Sequence, residues 1–367
     1  MRKKIVMLVV VLLLTSALIS GLSYSVVDDD SNKILGGKRE HEDSGIYASH
    51  APIRIDDNSE LAAEASSGSG TEADPYVIEG YEIDGGGHGY SLYIGNTTDH
   101  FIVRDCSLYN ASGNSGTYWK NTGLYFYNVI NGRSYNNTAY TNTDTGILLN
   151  SCSNTDLKIE GCEAYNNDDG IRLKDSSGAW IENCDSHDNA WQGIEIDDHC
   201  NNNTVANSTI RHNGHRGIYI DDWDSEDNVL VNNSISVWDE TGIHFDGYDA
   251  FNNDVRSSNT VNGTSVYLLS YEDNYTLQDK SAVLPSKLEA TNYGSIIVYS
   301  CENVTVSNCT TANNTNNGIF VGGDNTDLKI EGCEAYNNDD GIRLKDSSGA
   351  WIENCDSHDN AWQGSLL

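Results

Sequence analysis

Basic residues are scarce in this chain of 367 residues: 21 Lys and Arg stand against 55 Asp and Glu, a formal net charge of −34. A field of that sign repels phosphate at long range, which makes nucleic acid and acidic membrane surfaces poor partners, and none is expected. Long apolar runs are scarce too. One exists, Ile5 to Ile19, and nothing after it matches the roughly 20 apolar residues that a membrane span requires. Flanked by Arg2, Lys3 and Lys4 on one side and by Ser20, Gly21, Ser23 and Ser25 on the other, it predicts a secretory signal peptide over residues 1–25, with an uncleaved anchor as the alternative. Residues 26–50 are polar and patternless, contain Asp28, Asp29 and Asp30, and read as a flexible acidic linker. The expectation is a secreted, extracellular or cell-envelope protein with no membrane span once the signal is removed. Cys-x-x-Cys pairs and Cys/His clusters are absent among the nine cysteines, which argues against structural zinc.

Repetition is what the chain has in abundance. Residues 154–193 recur unchanged as 325–364. A finer repeat shows in tetrads that open at Gly123, Gly146, Gly170, Gly193, Gly217 and Gly242, spaced 23, 24, 23, 24 and 25 residues apart, and resumes at Gly294, Gly318 and Gly341. Each tetrad alternates apolar and variable residues, the period-2 signature of a short strand with one buried face. Ile171 and Leu173 are expected to face inward, Arg172 and Lys174 outward. A second strand per repeat reads in 157–159, 180–182, 205–207 and 304–306, followed by small inward candidates such as Ala164, Ser186 or Ile210. Runs of Asn, Asp, Ser and Gly fill the intervals as turns and leave no room for a helix. A coil of two or three such strands cannot bury its own apolar face and must stack on the next, about 4.8 Å away. A leucine-rich repeat would show its Leu/Asn consensus, and propeller blades run to about 40 residues. The predicted fold class is all-β, a right-handed parallel β-helix solenoid of about eleven coils of roughly 22–25 residues over 51–367. Its last coil stops unfinished at Ser365, Leu366 and Leu367.

Aligning the coils places Cys106, Asn137, Cys162, Cys184, Ser208, Asn233, Cys309, Cys333 and Cys355 at one turn position. This reads as an asparagine ladder with cysteine substituted, a small hydrophobe filling the same space. Adjacent-coil pairs such as Cys162 with Cys184 fall within disulfide reach without requiring a bond.

Segments 67–71 (SGSGT), 74–80 (DPYVIEG), 83–87 (IDGGG) and 92–98 (LYIGNTT) resemble archaeal secreted right-handed parallel β-helix repeat proteins. Segments 266–269, 294–298 and 303–306 look like the NosD-type β-helix, also described as a carbohydrate-binding and sugar-hydrolase domain. The resemblance covers roughly residues 50–364 and implies the pectin-lyase-like fold and an extracellular or envelope location. It also implies, as one alternative, a NosD-like factor for metal-site maturation, although this chain has two methionines and no His/Met/Cys copper run.

In that family substrates and Ca²⁺ bind on the outer face of a parallel sheet, so the outward positions of the glycine strands are the candidate site. Two residues after each glycine stand Leu148, Arg172, Glu195, Tyr219 and His244; four after stand Asn150, Lys174, Asp197, Asp221 and Asp246. Carboxylates stacked about 4.8 Å apart repel, which raises a pKa or calls for a cation. Ca²⁺ held by Asp197, Asp221 and Asp246, with Asp198 and Asp222 turning toward it, would relieve that. The same column, with carboxylates about 5 or 10 Å apart, brackets glycosidase spacings, so Asp221, Asp197, Asp246 and His244 are the catalytic candidates. Arg172 and Lys174 would neutralise a uronate beside Glu195, and Tyr219, Trp223 and Tyr248 would stack on sugar rings. The function expected is a secreted or cell-surface scaffold, adhesive or polysaccharide-contacting, with polysaccharide or envelope proteins as partners. A polysaccharide lyase, hydrolase or epimerase acting on an acidic glycan is the alternative.

Overall fold

A computed structural model of the protein describes residues 47–113, 121–152, 157–221, 224–238, 240–347 and 350–366. The expected signal peptide and all but the last residues of the expected linker lie outside the described residues. The linker's last residues are not free: Ala48–His50 forms a strand in register with Tyr81–Ile83, and the His50 ring lies 4.8 Å from that of Tyr81.

The described chain winds as a parallel β-solenoid of about eleven turns. Each coil contributes three short strands. One sheet collects the glycine strands, among them Thr145–Asn150, Asp169–Lys174, Gln192–Asp197, Arg216–Ile220 and Thr241–Phe245. A second collects Thr138–Tyr140, Glu163–Tyr165, Asp185–His187, Thr209–Arg211 and Ser234–Ser236. A third collects Gly132–Tyr135, Lys158–Glu160, Trp180–Glu182, Thr204–Ala206 and Val229–Val231. The bends between the third and second sheets are one-residue left-handed corners at Asn136, Asn183, Asn207 and Asn232, with φ between 51° and 56°. Asn accepts that conformation at lower cost than β-branched or bulky residues, which accounts for the turn composition.

Inside, Ile171, Leu173, Ile194, Ile196, Ile218 and Ile220 are fully shielded. The glycines that open each tetrad also face inward. A Cβ at Gly170 would stand 1.9 Å from Ser186 Oγ and 2.5 Å from Gly193 O, so no other residue fits. The turns are tied by side-chain ladders. Asn137 Oδ1 accepts from the Cys106 amide at 2.9 Å, Ser208 Oγ from Cys184 and Asn233 Oδ1 from Ser208. Two ladders that sequence alignment did not single out run beside this one: Asn142, Asn167, Asn189 and Asn213, and then Asn203, Asn228 and Asn253. Their signal was present, since each of the first four precedes a tetrad glycine by three or four residues.

Two departures from a uniform array matter. A seven-residue helix, Asn58–Glu64, lies against Ile53–Ile55, started by Asp57, whose carboxylate accepts from the amides of Ser59 and Glu60. The interior is also divided in two. Thr241–Phe245 pairs with the C-terminal half of the strand Ser281–Thr291; the other side of that strand pairs with Thr310–Asn314, its register shifting between Val283 and Leu288. Beyond that switch a second run, Tyr267–Ser270, Gly294–Tyr299, Asn317–Gly322, Asp340–Lys345 and Gln363–Leu366, encloses its own core. Among the described residues no helix is long and apolar enough to cross a membrane.

Candidate functional site

The outer face of the glycine sheet is where the candidate side chains converge. Register puts Leu148, Arg172, Glu195, Tyr219 and His244 in one column and Asn150, Lys174 and Asp197 in the next. A third column, the residue before each glycine, holds Thr145, Asp169, Gln192, Arg216 and Thr241. The period-2 reading missed Asp169 and Arg216 because strand alternation changes phase where the glycine turns inward.

Arg172 and Lys174 sit in a dense cluster. Arg172 lies 3.8 Å from Asp169, 3.1 Å from Glu195 Oε2, and donates twice to Asp197. Lys174 Nζ is 3.2 Å from Asp197 Oδ2 and also bonds Asp198. Two cations thus serve four carboxyls, all but Asp198 largely buried. The single Nε proton of Arg172 goes to Asp197, which leaves Glu195 Oε2 close to the guanidinium but without an aligned hydrogen bond. Glu195 is accordingly the carboxyl that keeps its proton: burial, against the pull of Arg172 and helped by Asp169 and Asp197, pushes it up to about 8. Burial also raises Asp169. Burial pushes Asp197 the same way, but Arg172 and Lys174 overcome it and hold it below the ordinary range.

The carboxylates at Asp197, Asp198 and Asp221 bring oxygens within 4.8 Å of one another, the spacing at which the expected cation would sit, and Lys174 Nζ already bonds two of them, Asp197 and Asp198. Arg172 and Lys174 are thus each paired with carboxylates of the protein.

One and two coils further on the chemistry changes. Tyr219 donates its hydroxyl proton to Asp246 at 2.7 Å, and Arg216 covers the Tyr219 ring at 4.6 Å from its centroid. Burial and that hydrogen bond push the Tyr219 phenol well up. Among the described residues Arg216 has no carboxylate at ion-pair distance. The His244 ring lies 5.7 Å from that of Tyr219, with Nδ1 buried and unpartnered, and burial followed by the Arg216 charge lowers its pKa to about 4. Asp221 is buried beside Asp197, and Asp246 is exposed. Tyr248 does not join this face. It packs against Phe251, Tyr293 and Tyr299, in the ring cluster where the two cores meet. Asp222 and Trp223 lie outside the described residues.

The model of the right-handed β-helix region matches residues 42–235, 122–282 and 241–367. The chain belongs to the right-handed β-helix family. No curated protein sequence matches this β-helix chain. Among solved structures it is similar to the A-module of mannuronan C-5 epimerase AlgE4 from Azotobacter vinelandii, at 13% identity and TM-score 0.44, covering 88% of this chain and 89% of that one. It is also similar to PfbA, a surface adhesin of Streptococcus pneumoniae, at 11% identity and TM-score 0.47 over 88% and 83% of the two chains. Pectate lyase Pel9A follows at 12% identity and TM-score 0.41 over 86% and 70%. These neighbours span enzymes and an adhesin, so the role of this β-helix has to be argued from its own residues.

Proposed function

We propose that this protein is a secreted or surface-displayed β-helix that contacts an acidic polysaccharide along the outer face of its glycine sheet, between Glu195 and Asp246. The observation that carries this reading is Arg216. In a chain of net charge −34, Arg172 and Lys174 are saturated by carboxylates, whereas Arg216 stacks on Tyr219 with no carboxylate at ion-pair distance among the described residues. A guanidinium on an aromatic platform suits a sugar ring that carries a carboxylate. Affinity electrophoresis in gels containing a uronate polymer tests it, with mobilities referred to polymer-free gels. Wild type should be retarded, Arg216→Gln should lose the retardation, and Tyr219→Ala should weaken it. Equal retardation of all three proteins removes this face from consideration.

A second reading is favoured by the ionisation states along the same column. Glu195 retains a proton near neutrality, and His244, two coils on, is an unprotonated imidazole with a free nitrogen. Such a pair suits proton abstraction next to a uronate carboxylate neutralised by Arg216. The carbanion would then expel the 4-linked oxygen, giving a lyase, or take a proton back on the opposite face, giving an epimerase. Appearance of ultraviolet-absorbing unsaturated ends, or of the epimeric uronate by NMR, lost in His244→Asn, would establish it. Unaltered polymer would leave binding without turnover.

A further inference from the structure

The outer face of the second sheet carries a different set of groups, which the glycan face does not use. Tyr109, Tyr140, Tyr165 and His187 stack in consecutive coils with ring centroids 5.2, 5.2 and 5.1 Å apart. The last pair is within 4° of parallel, so the stack fixes the plane of the imidazole. Glu163 shares a strand with Tyr165 and registers with Asp185, two residues before His187. These three side chains therefore project from neighbouring positions of one pleated surface. Glu163 Oε1 lies 3.1 Å from His187 Nε2, and one donor atom from each of Glu163, Asp185 and His187 falls within 4.8 Å of the others.

Three further details separate this constellation from an ordinary surface ion pair. His187 Nδ1 is 2.8 Å from Asp188 Oδ2, a carboxylate behind the imidazole of the kind that orients metal-bound histidines. Asp185 Oδ2 accepts from Arg211 at 3.0 Å, while its Oδ1 is sealed from solvent with no hydrogen-bond partner among the described residues. An orphaned carboxylate oxygen is costly unless something completes it. The duplicated segment supplies an internal comparison. Its counterparts Glu334 and His358 are 3.5 Å apart, and the His358 side chain is 41% exposed against 11% for His187. Among the described residues the three-donor convergence occurs in the first copy and not in the second.

We propose that Glu163, Asp185 and His187 bind a divalent first-row transition ion such as Zn²⁺, with Asp188 orienting the imidazole and Arg211 competing for Asp185. One imidazole and two carboxylates leave a coordination position open and match the nitrogen and oxygen donors of Zn²⁺. Ca²⁺, which takes six or more oxygens, is poorly served by the same set.

The test is titration of the untagged, metal-stripped full chain with Zn²⁺ against a chromophoric chelator, repeated in excess Ca²⁺. Wild type should bind one tight equivalent that Ca²⁺ does not displace. Glu163→Gln and His187→Asn should each weaken it at least about tenfold, the scale on which even supporting groups of a metal site act. Arg211→Gln should strengthen it by freeing Asp185 and removing a positive charge, and His358→Asn should leave it unchanged. The sign at Arg211 keeps the proposal open to refutation should His187→Asn fail to fold. Wild-type affinity in Glu163→Gln or His187→Asn, weaker binding in Arg211→Gln, or displacement by Ca²⁺ would mean adventitious binding to an acidic surface and would overturn the site.

Discussion

Replacing Glu195 by Gln should make the protein more stable at alkaline pH and leave it almost unchanged at acid pH. The ordinary carboxyl pKa of 4.5 is raised to about 8 by burial beside Asp169 and Asp197. Between those values the unfolded chain has released the proton and the folded chain has not. The folded state then binds more protons, so stability falls as pH rises. Integrated over the whole shift, at about 1.4 kcal/mol per pKa unit, the ceiling is roughly 5 kcal/mol. A share of that belongs to Asp169 and Arg172, so a few kcal/mol is the expected loss. Gln keeps the shape and cannot ionise, and every other pH-dependent group, including Asp197 with its opposite sign, is common to both proteins. Urea midpoints of wild type and variant near pH 5 and near pH 8.5 give the double difference, with hydrogen exchange in Gln192–Asp197 as a local reading suited to a solenoid that opens piecewise. The gap between the two proteins should widen by a few kcal/mol toward high pH. A gap constant to within about 0.5 kcal/mol would show that Glu195 is ionised in the fold and would refute the two-cations-for-four-carboxyls argument.

Asn228→Leu removes the acceptor of the Asn203 amide at 2.9 Å and the donor to Cys200 O at 2.7 Å, both fully buried; two orphaned backbone groups imply about 3–5 kcal/mol, read from urea unfolding and from faster exchange at the Asn203 amide. A loss under about 1 kcal/mol would mean that the ladder is replaceable by packing. Lys174→Met takes the ammonium away from Asp197 and Asp198, whose oxygens lie within 4.8 Å of Asp221, and should make the melting temperature rise with Ca²⁺, whereas wild type should be indifferent to it. A calcium-dependent wild type would contradict the placement of Lys174. Thiol alkylation of the folded chain should reach half-exposed Cys355 and spare the eight buried cysteines, and a mass showing a Cys162–Cys184 bridge would contradict thiol stacking.

The solenoid was legible because its two strongest constraints are periodic in sequence. An inward glycine every 23 to 25 residues within each run of tetrads marks a position where a Cβ strikes the next coil's backbone, and the Ile and Leu that follow it fill the interior. The ladder through Cys106, Asn137, Cys184 and Ser208 was legible for the same reason. The site was half legible. Register correctly brought Arg172, Lys174, Glu195, Asp197, Tyr219 and His244 to one face, but which charges cancel depends on diagonal neighbours that no column shows. Lys174 reaches Asp198 across the next coil, Asp169 enters from the column beyond the phase change, and Arg216 escapes pairing because its own coil neighbours are Gln192 and Thr241. Tyr248 was misplaced for a different reason. It follows the last regular coil, where the chain leaves the repeat, and a ring there joins whichever apolar surface is nearest, here Phe251 and Tyr293.

The duplicated segment turns this dependence on neighbours into an experiment within one molecule. Arg172 and Arg343 stand in identical 40-residue sequences and in identical strands, DGIRLK. What differs is the coil on either side, Leu148 and Glu195 flanking Arg172 where Phe320 and Leu366 flank Arg343. Arg172 registers with Glu195 and contacts Asp197, and its side chain is 19% exposed, whereas Arg343 registers with Leu366, lies 3.7 Å from Asp340 and is 42% exposed. Taking away Arg172 leaves Asp169 and Asp197 in a buried site with Lys174 as their remaining cation, a loss of about 3 kcal/mol or more for breaking one side of a buried charge cluster. Taking away Arg343 removes one exposed pair and should cost about 0–1 kcal/mol. Arg172→Leu and Arg343→Leu therefore make the same change in the same local sequence, and urea unfolding should separate them by at least about 2 kcal/mol. Equal losses would mean that local sequence sets the contribution of each arginine. In that case the charge cluster on the glycine sheet, and the protonated Glu195 that follows from it, would lose their basis.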